Sequence, residues 1–366
     1  MLTSPDLMKY NNKKTILEII FKKQNIYRAQ IAEVTNMSNQ TITNLVKELL
    51  AENLIKEVTL EKKSKGRNPM ALSINGDLLT IGVELSVHGL TACMYSLDGS
   101  LVECVKHDLT EDNLSVLKNS LNELTDNVEN GRILGMAISI EGIVDEETGL
   151  VIKSRDIGLD GINILSELAY LDLPALIRND VNMLAETDSK KHNEKNYMLI
   201  KLDRGIGAAL VIDKQVLRSD NNAAGEFGHM TVYGQEEPLK CKCGRTGCLT
   251  TLTSQTYIES ALKMPIDQMK KNMTVESYTN HLALYADYIS RPLSNLITFM
   301  DLNSVILTGS IIKVFGNEFE ALLYKSVSEK LSSWHAFKGF KVIEAYDMTK
   351  RCSRCVIDHY FLNWRK

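Results

Sequence analysis

The sequence predicts an α/β protein: a small winged helix-turn-helix domain over residues 1–75, followed by a larger, two-lobed α/β body over residues 76–366. Three observations carry that expectation. The head is basic while the body is acidic. A segment near Leu45 keeps its apolar side chains on one helical face. Beyond Asn75, short apolar runs alternate with longer helical stretches.

Hydrophobic residues at 44% and charged residues at 24% describe a chain with a buried core, and exclude a disordered, collagen-like or disulfide-dense one. Seven cysteines, an odd number, do not read as an extracellular disulfide framework. The opening MLTSPDLMKYNNKKTILEII scatters Asp6, Lys9, Lys13, Lys14 and Glu18 among apolar positions, so it holds no signal-peptide core. No apolar run reaches the roughly 18 residues that a membrane span needs, and the expected compartment is the cytoplasm. The net charge of −4 is unevenly spread: residues 1–75 hold 12 basic and 7 acidic side chains, the remainder 30 and 39. A cationic head on an anionic body suggests a nucleic-acid-binding module joined to one that binds none.

Within the head, residues 6–23 supply Leu7, Ile16, Leu17, Ile19, Ile20 and Phe21 for one buried helical stripe, and Tyr27–Asn36 supplies a second, short helix. Met37-Ser38-Asn39 then breaks the chain, with Ser38 as an N-cap. In the third segment Ile42, Leu45, Val46, Leu49 and Leu50 fall at i, i+3, i+4, i+7 and i+8. Its other face offers Asn39, Gln40, Thr43, Asn44 and Lys47, the short hydrogen-bonding side chains that read base edges. Strands at Ile55–Leu60 and Ala71–Ile74 would flank a basic hairpin tip, Lys62-Lys63-Ser64-Lys65-Gly66-Arg67-Asn68-Pro69. Ser38, Asn39, Gln40, Thr41 and Asn44 are the expected base readers. Arg28, Lys47, Lys62, Lys63, Lys65 and Arg67 are the expected phosphate or minor-groove contacts. A small helical protein-interaction domain with a solvated basic loop is the alternative.

In the body, strands are expected at Leu79–Leu85, Leu90–Tyr95, Leu134–Ile140, Tyr197–Leu202, Ala208–Ile212 and Ser304–Leu307, with helices at Leu114–Val128, Ile164–Leu171 and Tyr278–Met300. The most specific chemistry lies at His229 followed by Cys241-Lys242-Cys243-Gly244-Arg245-Thr246-Gly247-Cys248. Three thiolates and an imidazole make a closed tetrahedral site for structural Zn²⁺, with a redox pair or merely buried thiols as alternatives. Cys352 and Cys355 lack a second ligand pair and read as two plain thiols. Asn179-Asp180 lies at a strand-to-helix turn, where α/β folds line their ligand clefts, although N-capping alone would also explain it. Glu226, among small residues beside His229, offers a carboxylate to a polyhydroxylated ligand.

Glu-x-Gly-His, then Cys-x-Cys-Gly-x-x-Gly-Cys, with Asn-Asp upstream, resembles the ROK family of repressors and sugar kinases. The head is similar to that of its repressor branch, which includes xylose and N-acetylglucosamine repressors. The resemblance implies an actin/hexokinase-like body, with one lobe at about 76–178 plus the C-terminal segment and a second at about 179–349. It implies Zn²⁺ at His229, Cys241, Cys243 and Cys248, and a sugar held by Asn179, Asp180, Glu226 and His229. In the family's kinases the residue matching Asp180 is the base that activates the sugar hydroxyl.

Departures from the family pattern point away from catalysis. The first phosphate loop, Asp-x-Gly-Gly-Thr in the kinases, reads Glu84-Leu85-Ser86-Val87-His88, without the glycines that let backbone approach phosphate. The second, Gly-Thr-Gly-x-Gly, reads Asp203-Arg204-Gly205-Ile206-Gly207. At an effective dielectric of about 20, a carboxylate 4 Å from a phosphate charge is repelled by roughly 4 kcal/mol. Leu307-Thr308-Gly309-Ser310 keeps one glycine of an adenosine-side pair, Thr250 replaces a sugar-binding Glu, and Glu141-Gly142 replaces a Pro-Gly turn. The expectation is a homodimeric or homotetrameric, non-enzymatic repressor of carbohydrate-use genes. It would bind double-stranded operator DNA and answer to a sugar or sugar derivative. The alternative is an ATP-dependent sugar kinase with a regulatory head.

Overall fold

The computed structural model describes residues 4–59, 70–126, 128, 132–154, 156–189, 192–232 and 238–362. The expected wing-tip contacts Lys62, Lys63, Lys65 and Arg67 lie outside the described residues. Two compact units are present: residues 1–178 together with 348–366, and residues 179–347.

The head opens the first unit with α1 (Ser4–Lys23), α2 (Arg28–Thr35) and α3 (Asn39–Ala51), followed by β1 (Ile55–Thr59) and β2 (Met70–Ile74). Ser38 caps α3, its Oγ accepting from the Thr41 amide at 3.1 Å. Ile42, Leu45, Val46 and Leu49 are buried, as the period requires. The strands pair antiparallel from Ile55↔Ile74 to Thr59↔Met70, which makes the wing.

The body of this unit contains β3 (Leu79–Ser86), β4 (Gly89–Ser96), β5 (Leu101–His107), α4 (Asn113–Thr125), β6 (Ile133–Ile140), the small hairpin β7 (Ile143–Val144) and β8 (Val151–Lys153), α5 (Ile164–Glu167) and β9 (Ala175–Asn179). The second unit contains α6 (Asp180–Asp188), β10 (Tyr197–Leu202), β11 (Ile206–Ile212), β12 (Gln215–Val216), α7 (Thr250–Thr253), α8 (Gln255–Leu262), α9 (Met269–Asn272), α10 (Val275–Met300), β13 (Val305–Thr308), α11 (Ser310–Ser328) and β14 (Phe340–Ile343). The chain then rejoins the first unit as α12 (Met348–Val356) and a π-helical turn, Ile357–Phe361.

The two five-stranded sheets share one topology. Their orders are β5-β4-β3-β6-β9 and β12-β11-β10-β13-β14, so each reads third, second, first, fourth, fifth in its own chain order. In each, the first strand pairs antiparallel with the second and parallel with the fourth. The duplication is structural and leaves no short repeat in the sequence.

Helix α12 packs on the first sheet through Thr80–Ser353 and Tyr95–Thr349 hydroxyl pairs, both 2.7 Å apart. Its approach depends on Gly82, where a Cβ would fall 1.9 Å from the Thr349 carbonyl oxygen. The turn after α12 then enters the head's core: Ile357, Phe361 and Leu362 join Ile16, Leu17, Ile20, Ile42 and Leu49 in one apolar cluster. Phe361 meets the Phe21 ring at 6.4 Å, and the Arg354 guanidinium lies 4.7 Å from the centre of that ring.

Cys352 and Cys355 are buried thiols on α12 and join no metal-holding group among the described residues. Cys93 and Cys104, which no sequence pattern pairs, face each other on β4 and β5 as a disulfide. Among the described residues, no helix is long and apolar enough to cross a membrane.

Candidate effector, metal and nucleic-acid sites

The strand-to-helix turn after β9 orients the first group of candidates. Asn179 is the N-cap of α6, its Oδ1 accepting from the Val181 and Asn182 amides at 2.9 and 3.1 Å. Asp180 follows as the first helical residue, where the helix dipole favours a carboxylate. Its Oδ2 accepts from Lys201 Nζ at 2.8 Å, and both side chains are nearly buried. Lys201 was missed in the sequence. The one available signal was a lone cation inside the apolar run Tyr197–Leu202.

Glu226 belongs to the same unit, on a segment pressed against β11. A Cβ on Gly225, whose φ is +92°, would lie 1.9 Å from the Ala208 carbonyl oxygen, so only glycine admits this approach. Burial pushes the Glu226 carboxyl above the usual carboxylate range, and the Asp180 charge adds to the effect. Glu226 Oε2 lies 3.5 Å from His229 Nε2. Thr250 is buried at the start of α7. Two carboxylates, one ammonium and one imidazole thus furnish directional acceptors and donors of the kind that hold sugar hydroxyls.

His229, Cys241, Cys243 and Cys248 converge, with one ligand atom from each within 4.8 Å of the others. Tetrahedral Zn²⁺ with Zn–S bonds near 2.3 Å needs sulfur–sulfur edges of roughly 3.8 Å. Cys243 Sγ and Cys248 Sγ are 3.6 Å apart, and Cys241 Sγ is 3.5 Å from His229 Nδ1, so the donor set fits. With Nδ1 turned to the thiols, Nε2 turns to Glu226, and a metal-bound His229 would be oriented by that carboxylate. Burial opposes the Cys243 thiolate, but the Arg245 amide and the neighbouring thiols outweigh it and bring its pKa down to about 7. Burial, and then the hydrogen bond with Cys243, push Cys248 up to about 12. All three would be thiolates together only beside a cation. Gly244 (φ +96°) and Gly247 (φ +73°) make the turns, and Arg245 donates to the His229 carbonyl at 2.6 Å.

On the head, Asn39, Gln40, Asn44 and Lys47 are exposed along α3. Ser38 and Thr41 turn toward each other, their hydroxyls 2.8 Å apart, so part of their capacity goes to capping. Arg28 reaches Glu57 of β1 at 2.6 Å and so ties α2 to the wing.

A family profile described as "ROK family" matches residues 80–350. The chain belongs to the ROK family. A profile described as winged helix-turn-helix DNA-binding matches residues 11–56. The xylose repressor of Bacillus spizizenii is 25% identical over 349 residues, covering 88% of this chain and 86% of its own. The DNA-binding transcriptional dual regulator NagC of Escherichia coli is 24% identical over 267 residues, covering 69% and 65%. Among solved structures, a ROK family transcriptional regulator described as a homologue of the E. coli MLC protein superposes with a TM-score of 0.76 at 21% identity, covering 98% of both chains. A ROK glucokinase from Streptomyces griseus, solved with glucose and AMPPNP, gives 0.63 at 17% identity, covering 76% of this chain and 98% of its own.

The stretches 84–88 and 203–207 are engaged by carboxylates of this chain. In the first unit, Glu84–His88 folds as the end of the β3–β4 hairpin, and the Val87 amide donates to Glu141 Oε2 at 3.2 Å. In the second, Asp203 Oδ1 accepts from the Arg204 amide at 2.9 Å and from the Ser310 hydroxyl at 2.8 Å. Ser310 opens α11, and its Oγ also lies 2.5 Å from Gln255 Oε1. The Ser310 hydroxyl at the mouth of α11 thus already faces a carboxylate.

Proposed function

We propose that this ROK protein is a sugar-responsive repressor of carbohydrate-use genes. In this reading a homo-oligomer sets two heads on operator half-sites about one or two helical turns apart. Asn39, Gln40 and Asn44, with Ser38 and Thr41 at the cap, read base edges. Lys47, Arg28 and the wing cations Lys62, Lys63, Lys65 and Arg67 serve the phosphates and minor groove. Such a protein works in the cytoplasm, beside the DNA.

In the second unit, Asn179, Asp180, Glu226 and His229 hold the effector sugar. A sugar that binds one of two head spacings better than the other shifts the protein toward it, and release of the operator follows from that differential affinity alone. Zn²⁺ held by His229, Cys241, Cys243 and Cys248 would staple the Glu226 segment in place as a structural ion.

One observation carries the non-enzymatic reading. Asp180 is paired with Lys201, and Asp203 takes up the donors at the start of α11. In this reading Asp180 serves as a hydrogen-bond acceptor for a sugar hydroxyl instead of a base, and Asp203 sets a negative charge where nucleotide phosphates would otherwise bind. The repressor names of the relatives support the same reading.

A second reading, a sugar kinase with a regulatory head, rests on the carboxylate at the base position and the glucokinase-like fold. An ADP-release assay over a sugar panel separates the two. The repressor reading expects no turnover, whereas turnover that disappears in Asp180→Asn would establish the kinase.

A further inference from the structure

We propose that Cys93 and Cys104 form a reversible dithiol–disulfide couple, open to exchange with a low-molecular-weight disulfide such as oxidised glutathione. The two residues are direct partners in the antiparallel β4–β5 ladder, with Cα atoms 4.0 Å apart. Directly opposed positions put both side chains on the same face of the sheet, so the sulfurs meet without any movement of the backbone. β5 is an edge strand, and the ladder is already irregular one step further on, between Met94 and Tyr95.

The two sulfurs differ in access. Cys93 is 3% exposed, on the second strand of the sheet, while Cys104 is half-buried on the edge. On the other side of Cys93 its ladder partner is Gly82, whose missing side chain leaves room for Thr349 and Cys352 of α12. Cys93 is thus walled in from that side, and a small disulfide can reach the pair only through Cys104.

The step balances as two exchanges. The Cys104 thiolate attacks one sulfur of the external disulfide, whose S–S bond breaks and releases one thiolate. The Cys93 thiolate then attacks the Cys104 sulfur of the mixed disulfide and displaces the second. The two protons lost by the cysteines end on the two released thiols. The protein pair is oxidised by two electrons and the external disulfide is reduced by two. Reversibility rests on the repressor reading, since a protein working on DNA meets a reducing thiol pool in which a fixed cross-link does not persist. The chemistry can be tested without DNA, so either claim can fail alone.

The experiment treats the full-length, metal-loaded protein with oxidised glutathione and then with dithiothreitol, quenches a sample in acid at each stage, and alkylates it under denaturing conditions for peptide mapping. Mapping reads the metal-site cysteines separately. The expected result is loss of alkylation at Cys93 and Cys104 together in the oxidised sample, and full return at both in the reduced one. Cys93→Ser should trap one glutathionyl group on Cys104, and Cys104→Ser should trap none. Full alkylation of both residues after oxidation, a bond that survives native dithiothreitol, or a mixed disulfide on Cys93 in place of Cys104 would overturn the proposal.

Discussion

Asp180 and Glu226 are carboxylates of the second unit with different surroundings. Asp180 sits at a helix N-terminus against an ammonium, whereas Glu226 is half-buried beside the His229 imidazole and has its pKa raised. Glu226 is the acceptor that a sugar would satisfy best. Glu226→Ala should abolish the effector response while leaving operator affinity within about twofold, a difference worth roughly 0.4 kcal/mol. Fluorescence anisotropy on labelled duplex, titrated with sugar, measures both.

Asp287 supplies a pH test. Burial opposes its charge, but hydrogen bonds from Lys330 and Arg291 prevail and lower its pKa. A depressed carboxylate stabilises the folded state above its unfolded pKa and loses that contribution as pH falls through the folded value. Both partners are partly exposed, so Asp287→Asn should cost only about 0.5–1 kcal/mol at pH 7, with the difference shrinking in urea titrations as pH falls below the ordinary Asp range of about 4.

Residues also mark where the sequence was readable. The zinc-type cluster announces itself because Cys-x-Cys-Gly-x-x-Gly-Cys compresses its donors locally. Lys201 meets Asp180 from a strand 21 residues further along the chain, so no local pattern pairs them.

The best-read element is α3, whose apolar positions lie on one face and are buried there. β5 escaped notice because only Val105 among its seven residues is buried, which leaves no alternation to detect. The run Ile164–Leu171 divides into α5 and a short 3₁₀ turn. The 19-residue α11 was hidden by Gly316, whose φ of +58° kinks it mid-way, and by Gly309 at its start.

The least foreseen element is α12 with its terminal turn, which lies at the far end of the chain from the head it completes. Phe361→Ala removes a fully buried ring from that shared core and should cost about 3–5 kcal/mol, seen as early unfolding of the head in urea. Gly82→Ala should be at least as damaging, because backbone and not a flexible side chain meets the new methyl. Thermal melts of both variants, compared with a surface control such as Glu320→Ala, check the pair.

At the scale of the whole molecule, charge divides the labour. Residues 1–75 carry a net +5 while the remainder carries −9, so the phosphate-seeking surface is confined to the head. Removing Lys47 should weaken binding evenly across DNA sequences and shallow the salt dependence by about one counterion. Stripping metal with a strong chelator should lower the melting temperature and eliminate sugar binding, because the segment carrying Glu226 and His229 would lose its anchor; re-addition of Zn²⁺ should restore both.

In the repressor reading one chain grips DNA and lets go when its second unit takes a sugar. The most direct test selects a duplex from a random-sequence pool with the full-length protein, then measures its affinity with and without each member of a sugar panel. A sugar-responsive repressor should show salt-sensitive, sequence-selective binding that weakens at least tenfold with one sugar and is indifferent to ATP. Absence of any selected duplex, together with ATP-dependent phosphorylation of a panel sugar, would contradict it.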